Sequence, residues 1–441
     1  MKSTAIIGLG ITGFSCLRYL YGRDEVVVLD TRAQPPSAAA ARREFPDAQY
    51  RFGVERYDYA GVDRVVVSPG VDLRSCLVED AHKRGVELAS DIDLFCQAAQ
   101  APIIAITGTN GKSTVTSLVG QLLRAFGKSP GVGGNLGEPA LDLLDEARDS
   151  YVIELSSFQL ERLGRHRFQA ATILNVSEDH LDRHGSLAVY SACKQRIYRD
   201  CQLAVANRMD PQTLPEGRRR DAGAGRLVSF GLDAPGSNDW GMLDGCLSHG
   251  ADSVLPAQEL PIAGRHNALN VLAAFALVWG DGADNRVLAD VARGFTGLPH
   301  RCEHVADIDG VSYVNDSKAT NVGATIAALQ GLGDSSKPKL VLIAGGEGKG
   351  ADFAPLKEAV GHFAKHVILL GADAAAIERA LDSVVPVSHV ESLADAVACA
   401  SRVAHRGDLV LLSPACASFD MFENFSDRGE RFAAAVRELA A

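Results

Sequence analysis

The residues Ile103 to Ser117, IIAITGTNGKSTVTS, end an apolar run in Thr107-Gly108 and open a helical pattern with Gly111-Lys112-Ser113-Thr114. This layout can cradle phosphates. Backbone N–H groups and the positive end of a helix face the anion, Lys112 can neutralise the outer phosphates, and Ser113 or Thr114 can ligate Mg2+. Gly108, Thr109 and Asn110 complete the loop, and Ile106 stands where a standard phosphate loop has its first glycine, so the cradle is a shortened variant. A triphosphate site also needs acids to hold the metal. Glu154 ends the apolar run in YVIELSSFQ, and NVSEDHLDRH gathers Glu178, Asp179, His180 and Asp182 after another such run. Mg2+ prefers oxygen ligands, so a hydrogen-bonding loop histidine is the plainer reading of His180. Lys194, in the helical SLAVYSACKQRIY, reads by itself as a surface lysine.

A second glycine loop precedes this one. Gly8-x-Gly10-x-x-Gly13 follows the apolar TAIIG, and Asp30 ends the next apolar run, as a dinucleotide fingerprint requires. An NAD-dependent oxidoreductase is therefore one hypothesis, and glycines that merely let a helix pack on a sheet are another. Thr31-Arg32 adds a polar and a cationic group after Asp30, and Ser68-Pro69-Gly70 supplies a further small-residue turn. Both features favour a nucleotide other than NAD. A dehydrogenase, moreover, has no use for the second cradle, and a non-catalytic nucleotide switch has no use for the first.

Such loops need sheets to carry them. The chain has 441 residues, enough for two or three domains, and 46% of them are hydrophobic. Short β-branched runs alternate with helical stretches throughout: TAIIG, EVVVLD and DRVVVSPG, then PIIAITG, YVIELS and ATILNVS, then VSYVNDS, KLVLIAGG, HVILLG and DLVLLSPA. After the cradle, Val115, Leu118, Val119, Leu122, Leu123 and Phe126 recur at helical spacing and mark one buried face. Arg218 to Leu255 is glycine-rich and poorly periodic, and loops with small strands are expected there. The fold expected is α/β with three domains in series: a Rossmann-like N-terminal domain over 1–90, a central P-loop-type ATP-binding domain over 91–297, and a Rossmann-like C-terminal domain over 298–441.

A net charge of −11 disfavours a general nucleic-acid binder. No run of eighteen apolar residues exists, and the N-terminal apolar run merges into a glycine loop, so neither a membrane span nor a signal peptide is expected. Nine scattered cysteines without a C-x-x-C pair suit reduced thiols and a cytoplasmic location.

Read together, GLGITG, DTR, SPG, GTNGKST, GGNLG, ELSSFQL, NVSEDHLDRH, GRHNALN, GLPHR, NDSKATN, GGEGKGADF and SPACASFDMFENFSDRG resemble the Mur ligases, the ATP-dependent amide-forming family of peptidoglycan synthesis. The resemblance covers essentially the whole chain, and NDSKATN and SPACAS are similar to the glutamate-adding members. It implies addition of D-glutamate to UDP-N-acetylmuramoyl-L-alanine through an acyl phosphate, giving ADP and phosphate. By resemblance, Ile11, Thr12, Asp30, Thr31, Arg32, Ser68, Gly70 and Asn135 take the UDP-sugar, while Asn270, Arg301 and Asp316 join the cradle around ATP. Lys318, Thr320, Lys349, Ser418 and Phe425 match the glutamate pocket, and two lysines suit a dicarboxylate. Lys112, Glu154, His180 and Lys194 are the implied catalytic residues. Two Mg2+ ions are implied at Ser113, Glu154, His180 and a carbamylated Lys194. Cys193 stands where the family leads us to expect a small residue such as alanine, and Glu347 where Asp is frequent. A monomer acting on small-molecule substrates, with no nucleic acid or membrane, is expected. A folylpolyglutamate synthase shares the shortened cradle but does not need the first loop.

Overall fold

The computed structural model describes residues 1–216, 226–262, 264–280, 283–333 and 339–439. Three sheets follow one another along the chain. The first has five parallel strands, in the order Gln49–Phe52, Glu25–Asp30, Ser3–Ile7, Arg64–Val67 and Glu87–Ala89. The order reverses beside Ser3–Ile7, and in doubly wound sheets such a reversal opens a crevice at the strand carboxyl ends. Residues Gly8, Asp30 and Ser68 stand at those ends.

The second sheet has nine strands, and its parallel centre runs Pro130–Gly134, Ser150–Glu154, Ile103–Thr107, Ala170–Ile173, Leu203–Asn207 and Arg226–Phe230. Trp240–Leu243, Cys246–His249 and Asp252–Pro256 extend it as an antiparallel edge. These are the small strands expected after Arg218, although 217–225 lies outside the described residues. The helix Lys112–Ala125 buries Val115, Leu118, Val119, Leu122 and Leu123 against the sheet and the helix Arg265–Val278. The second of these helices is buried from Val271 to Val278, as a helix apolar on every side must be.

In the third sheet, Val311–Asn315, Leu409–Leu412, Leu340–Gly345, Ala364–Leu370 and Val387–His389 lie parallel in that order. Glu303–Ile308 closes one edge antiparallel.

The joints between sheets differ in chemistry. One apolar cluster runs from Ile6, Leu17 and Val28 of the first sheet region to Phe95, Leu141 and Tyr151 beside the second. The third sheet has its own apolar clusters on its two faces, and the interdomain contacts at the cradle are polar: Arg301 to Ser113, and Asn321 to Asn110 and Asp179.

Candidate active site

The cradle forms because its glycines allow a turn that other residues would block. Gly111 precedes the helix Lys112–Ala125 at φ +82, and a Cβ there would stand 2.4 Å from Asn270 Oδ1. The loop therefore presents its N–H groups with a carboxamide packed directly on it. Lys112 folds back, Nζ donating to the carbonyls of Gly108 at 2.9 Å and Thr109 at 2.8 Å. Burial lowers its pKa, while Glu154 and Asp179 act in the opposite direction.

Glu154 ends its strand 2% exposed. One carboxylate oxygen accepts from Asn135 Nδ2 at 2.7 Å, and the other is buried without a hydrogen-bond partner. A buried carboxylate oxygen left unpaired is costly, and a cation is the partner its chemistry calls for. Among the described residues no group of three or more His, Cys, Asp or Glu could hold a metal alone. The unpaired Glu154 oxygen suits Mg2+, which usually combines one or two carboxylates with substrate phosphates and water. The Ser113 hydroxyl, also buried, accepts from Arg301 Nη2 at 2.9 Å.

Lys194 is not the surface lysine its helix suggested. It is 1% exposed, its Nζ donating to Gly108 O at 2.9 Å and Thr107 Oγ1 at 3.4 Å and lying 4.4 Å from the centre of the Tyr190 ring. Burial, then the neighbouring Lys112, pushes its pKa well below that of an ordinary lysine. His180 sits at φ +54 ahead of the short helix Leu181–His184, its ring edge-on to Phe158. Burial lowers its pKa, so the imidazole is neutral at pH 7.

These side chains share a cavity of about 280 Å³ with Thr109, Asn135, Arg301, Lys318 and Thr320. A neighbouring cavity of about 290 Å³ runs along Gly111, Thr114, Asn270, Arg301 and Asp316. Asp316 accepts from Ser413 Oγ at 2.9 Å and from the Cys302 N–H at 3.2 Å, and burial raises its pKa to about 7. A third cavity, about 260 Å³, brings His180 and Thr320 together with Lys349. Lys318 Nζ lies 3.7 Å from the centre of the Phe425 ring, and burial with Arg301 and Lys112 nearby lowers its pKa to about 8. Ser418 is buried. Buried Arg428 joins the two loops there, donating to Ser317 O at 2.8 Å and Cys416 O at 3.2 Å.

The first glycine loop stands apart from these cavities. Asp30 is 2% exposed and accepts from the Leu9 N–H at 2.8 Å and from the Arg32 N–H and guanidinium. Burial works against its charge, but those donors outweigh it and hold the carboxyl below its usual range. Ser68 Oγ donates to Gly8 O at 2.8 Å. Thr31, Gly70 and Ile11 are exposed around the crevice, Ile11 at 76%.

A model of the Mur ligase MurD-like N-terminal domain matches residues 2–90, the Mur ligase middle domain matches 106–278, and the Mur ligase glutamate ligase domain matches 300–416. The chain belongs to the Mur ligase family. Similar Mur ligases include the UDP-N-acetylmuramoylalanine--D-glutamate ligases of Marinobacter nauticus and Pseudomonas aeruginosa, each 47% identical with 99% of this chain and 98% of the relative covered. The same enzyme of Legionella pneumophila is 45% identical over 98% of both. The fold is shared with a pseudomurein peptide ligase type C from Methanothermus fervidus, at a TM-score of 0.64 and 18% identity, and with the UDP-N-acetylmuramate-alanine ligase of Thermotoga maritima, at 0.60 and 20%; all of each chain is covered. Membership accounts for both glycine loops, which the dehydrogenase reading does not.

Two Mur ligase residues that make long-range contacts were missed in the sequence. Asn321 caps the helix Val322–Leu332 with its oxygen and donates Nδ2 to Asn110 Oδ1 at 3.3 Å and Asp179 Oδ2 at 3.2 Å. Arg162 reaches across to the first domain. Asn321 closes the NDSKATN stretch, but nothing local signals its contacts with the cradle, and no local pattern marks Arg162.

Proposed function

We propose that this Mur ligase joins D-glutamate to UDP-N-acetylmuramoyl-L-alanine at the expense of ATP, in peptidoglycan precursor synthesis. The single observation that carries the reading is the convergence of Lys112, Glu154 and Lys194 with Arg301 and Lys318 in one cavity, adjoining the cavity that holds Lys349.

A carboxylate and an amine form no amide in water without activation. The alanine carboxylate oxygen attacks the γ-phosphorus of ATP, the bond to ADP breaks, and an acyl phosphate results. The glutamate amine attacks the acyl carbon, phosphate leaves with the bonding pair, and the amine gives up a proton. Phosphoryl transfer asks chiefly for alignment and charge neutralisation. In this reading Gly108 to Thr114 and Lys112 hold the ATP phosphates, and Asn270, Arg301 and Asp316 take the nucleoside. Ile11, Thr12, Thr31, Arg32, Ser68 and Gly70 take the uridine end, with Asp30 shaping their loop, and Asn135 meets the sugar substrate. Lys318, Thr320, Lys349, Ser418 and Phe425 receive glutamate.

Ser113 and Glu154 would hold one Mg2+, and His180 with a carbamylated Lys194 a second. When bound, these ions would supply positive charge that neutralises the transferring phosphate. The carbamate reading is supported by the buried, pKa-lowered amine, because only an unprotonated amine adds CO2. Carbamylation also removes a second cation from beside Lys112.

The proposed enzyme acts as a cytoplasmic monomer and binds neither nucleic acid nor membrane. No helix among the described residues is long and apolar enough to cross a bilayer. Phosphate release from ATP, Mg2+ and the muramoyl nucleotide, compared for D-glutamate, L-glutamate, lysine and diaminopimelate, tests the reading. D-glutamate is expected to be used; a preference for lysine or diaminopimelate overturns it.

A further inference from the structure

Two arginines from the second domain hold the uridine-side turn of the first. Arg162 is the last residue of the helix Ser157–Arg162, which begins three residues after Glu154. Its side chain is 5% exposed and donates to the carbonyls of Val67 at 3.3 Å, of Val71 at 2.9 Å, and of Ser68. Arg183 lies in the helix Leu181–His184, directly after His180, and donates to the same Val71 carbonyl at 2.9 Å. Glu161 accepts from Arg183 at 3.0 Å and stands 3.6 Å from Arg162, so one carboxylate serves both cations.

The turn they grip is itself fixed to the first glycine loop. Besides the Ser68 hydroxyl bond to Gly8 O, a Cβ on Gly8 would lie 2.8 Å from Val71 Cγ2. Nothing slack separates the turn from the loop. Each of the chain segments carrying Glu154 and His180 thus sends one guanidinium to the turn Ser68–Val71. A guanidinium donating to several carbonyls of one turn fixes both position and orientation, because its N–H groups lie in one rigid plane.

We propose that Arg162, seconded by Arg183, is a positioning residue that sets the reach of the muramoyl nucleotide, so that its carboxylate meets the γ-phosphate. The inference rests on the function proposed above. The uridine is held by the first domain while the reacting end lies over the second, so an error in their relative placement is felt at the carboxylate more than at the uridine. Displacements of about 1 Å from remote changes can cost about 100-fold in rate.

The test uses the full-length chain with Arg162→Ala, Arg162→Lys and Arg183→Ala. For Arg162→Ala, kcat/KM for the muramoyl nucleotide should fall about 10- to 100-fold, with KM for ATP and D-glutamate and Kd for UDP alone within about threefold. Arg162→Lys should recover part of the loss, and Arg183→Ala should show a smaller fall of the same kind. Amide hydrogen exchange at Ser68, Gly70 and Val71 should quicken in Arg162→Ala without any substrate, which keeps the clamp testable if the muramoyl nucleotide is not the substrate. Unchanged exchange there, or a parallel loss of UDP affinity, ATP affinity and melting temperature, would overturn the proposal. A wild-type chain that fails to turn over the muramoyl nucleotide counts against the proposed function alone.

Discussion

The two glycine loops look alike in sequence and differ in how they are completed. At the first loop, Asp30, Arg32, Ser68 and Gly8 satisfy one another within a single five-stranded sheet. At the second, Lys112 and Glu154 of the central domain meet Arg301 and Lys318 of the third in one cavity, with one Glu154 oxygen unpaired and three lysines, Lys112, Lys194 and Lys318, held at depressed pKa. A loop whose own side chains and backbone satisfy one another needs the second domain only to fix where its turn stands, through Arg162 and Arg183. One assembled from two domains does chemistry only when both are in place, and its uncompensated charges call for a ligand.

The contrast can be broken most severely at Glu154. Glu154→Gln keeps the shape and removes the charge, and ligase turnover should fall by about 10³-fold while UDP affinity is unchanged. A variant that loses both would mean that the loops are not independent. Lys194→Ala should lose about 10²-fold in phosphate release, with part of it restored by a small carboxylate such as acetate or formate. An unimpaired variant would remove the carbamate from the mechanism.

Asp30→Asn tests the other loop. Arg32 and the Leu9 N–H lose a charged acceptor, and a lost hydrogen bond to a charged group costs about 1.5–3 kcal/mol. We expect KM for the muramoyl nucleotide to rise by about tenfold in steady-state assays, with KM for ATP unmoved. Titration sharpens the comparison further. With its pKa lowered to about 8 by burial and by Arg301 and Lys112, Lys318 is a cation below that pH and neutral above it. KM for D-glutamate should therefore rise as pH passes upward through about 8, and UDP affinity should not follow it. The smallest effect is expected for Asn321→Ala, which removes two neutral-donor bonds across the polar joint: about fivefold in KM for glutamate, measured by phosphate release.

Much of this was legible because buried parallel strands are written as β-branched runs, and a phosphate cradle needs its glycines where they stand. The strand Pro130–Gly134 was not legible, for a physical reason. A Cβ on Gly131 would lie 2.7 Å from Tyr151 Cδ1 and one on Gly133 2.4 Å from Glu138 O, so the close neighbours that require glycine also remove the β-branched signal. Val387–His389 is three residues long and Glu303–Ile308 is half-exposed, too short or too wet to show a pattern. The cradle, Glu154 and the first loop could be read from residue type and spacing. Lys194 could be read only through family resemblance, since what buries it comes from Thr107 and Gly108, far away in the chain. Asn321 and Arg162 are ordinary polar residues whose partners are up to 211 and 95 positions distant.

The central claim is that the ligands of the two loops react with each other. It is tested most directly by supplying muramoyl nucleotide whose alanine carboxylate carries 18O at both oxygens, with ATP, Mg2+ and D-glutamate, and weighing the inorganic phosphate. Attack of that carboxylate on the γ-phosphorus should leave a single labelled oxygen in each phosphate released. Unlabelled phosphate released together with amide product, the displaced 18O then appearing in water, would contradict it.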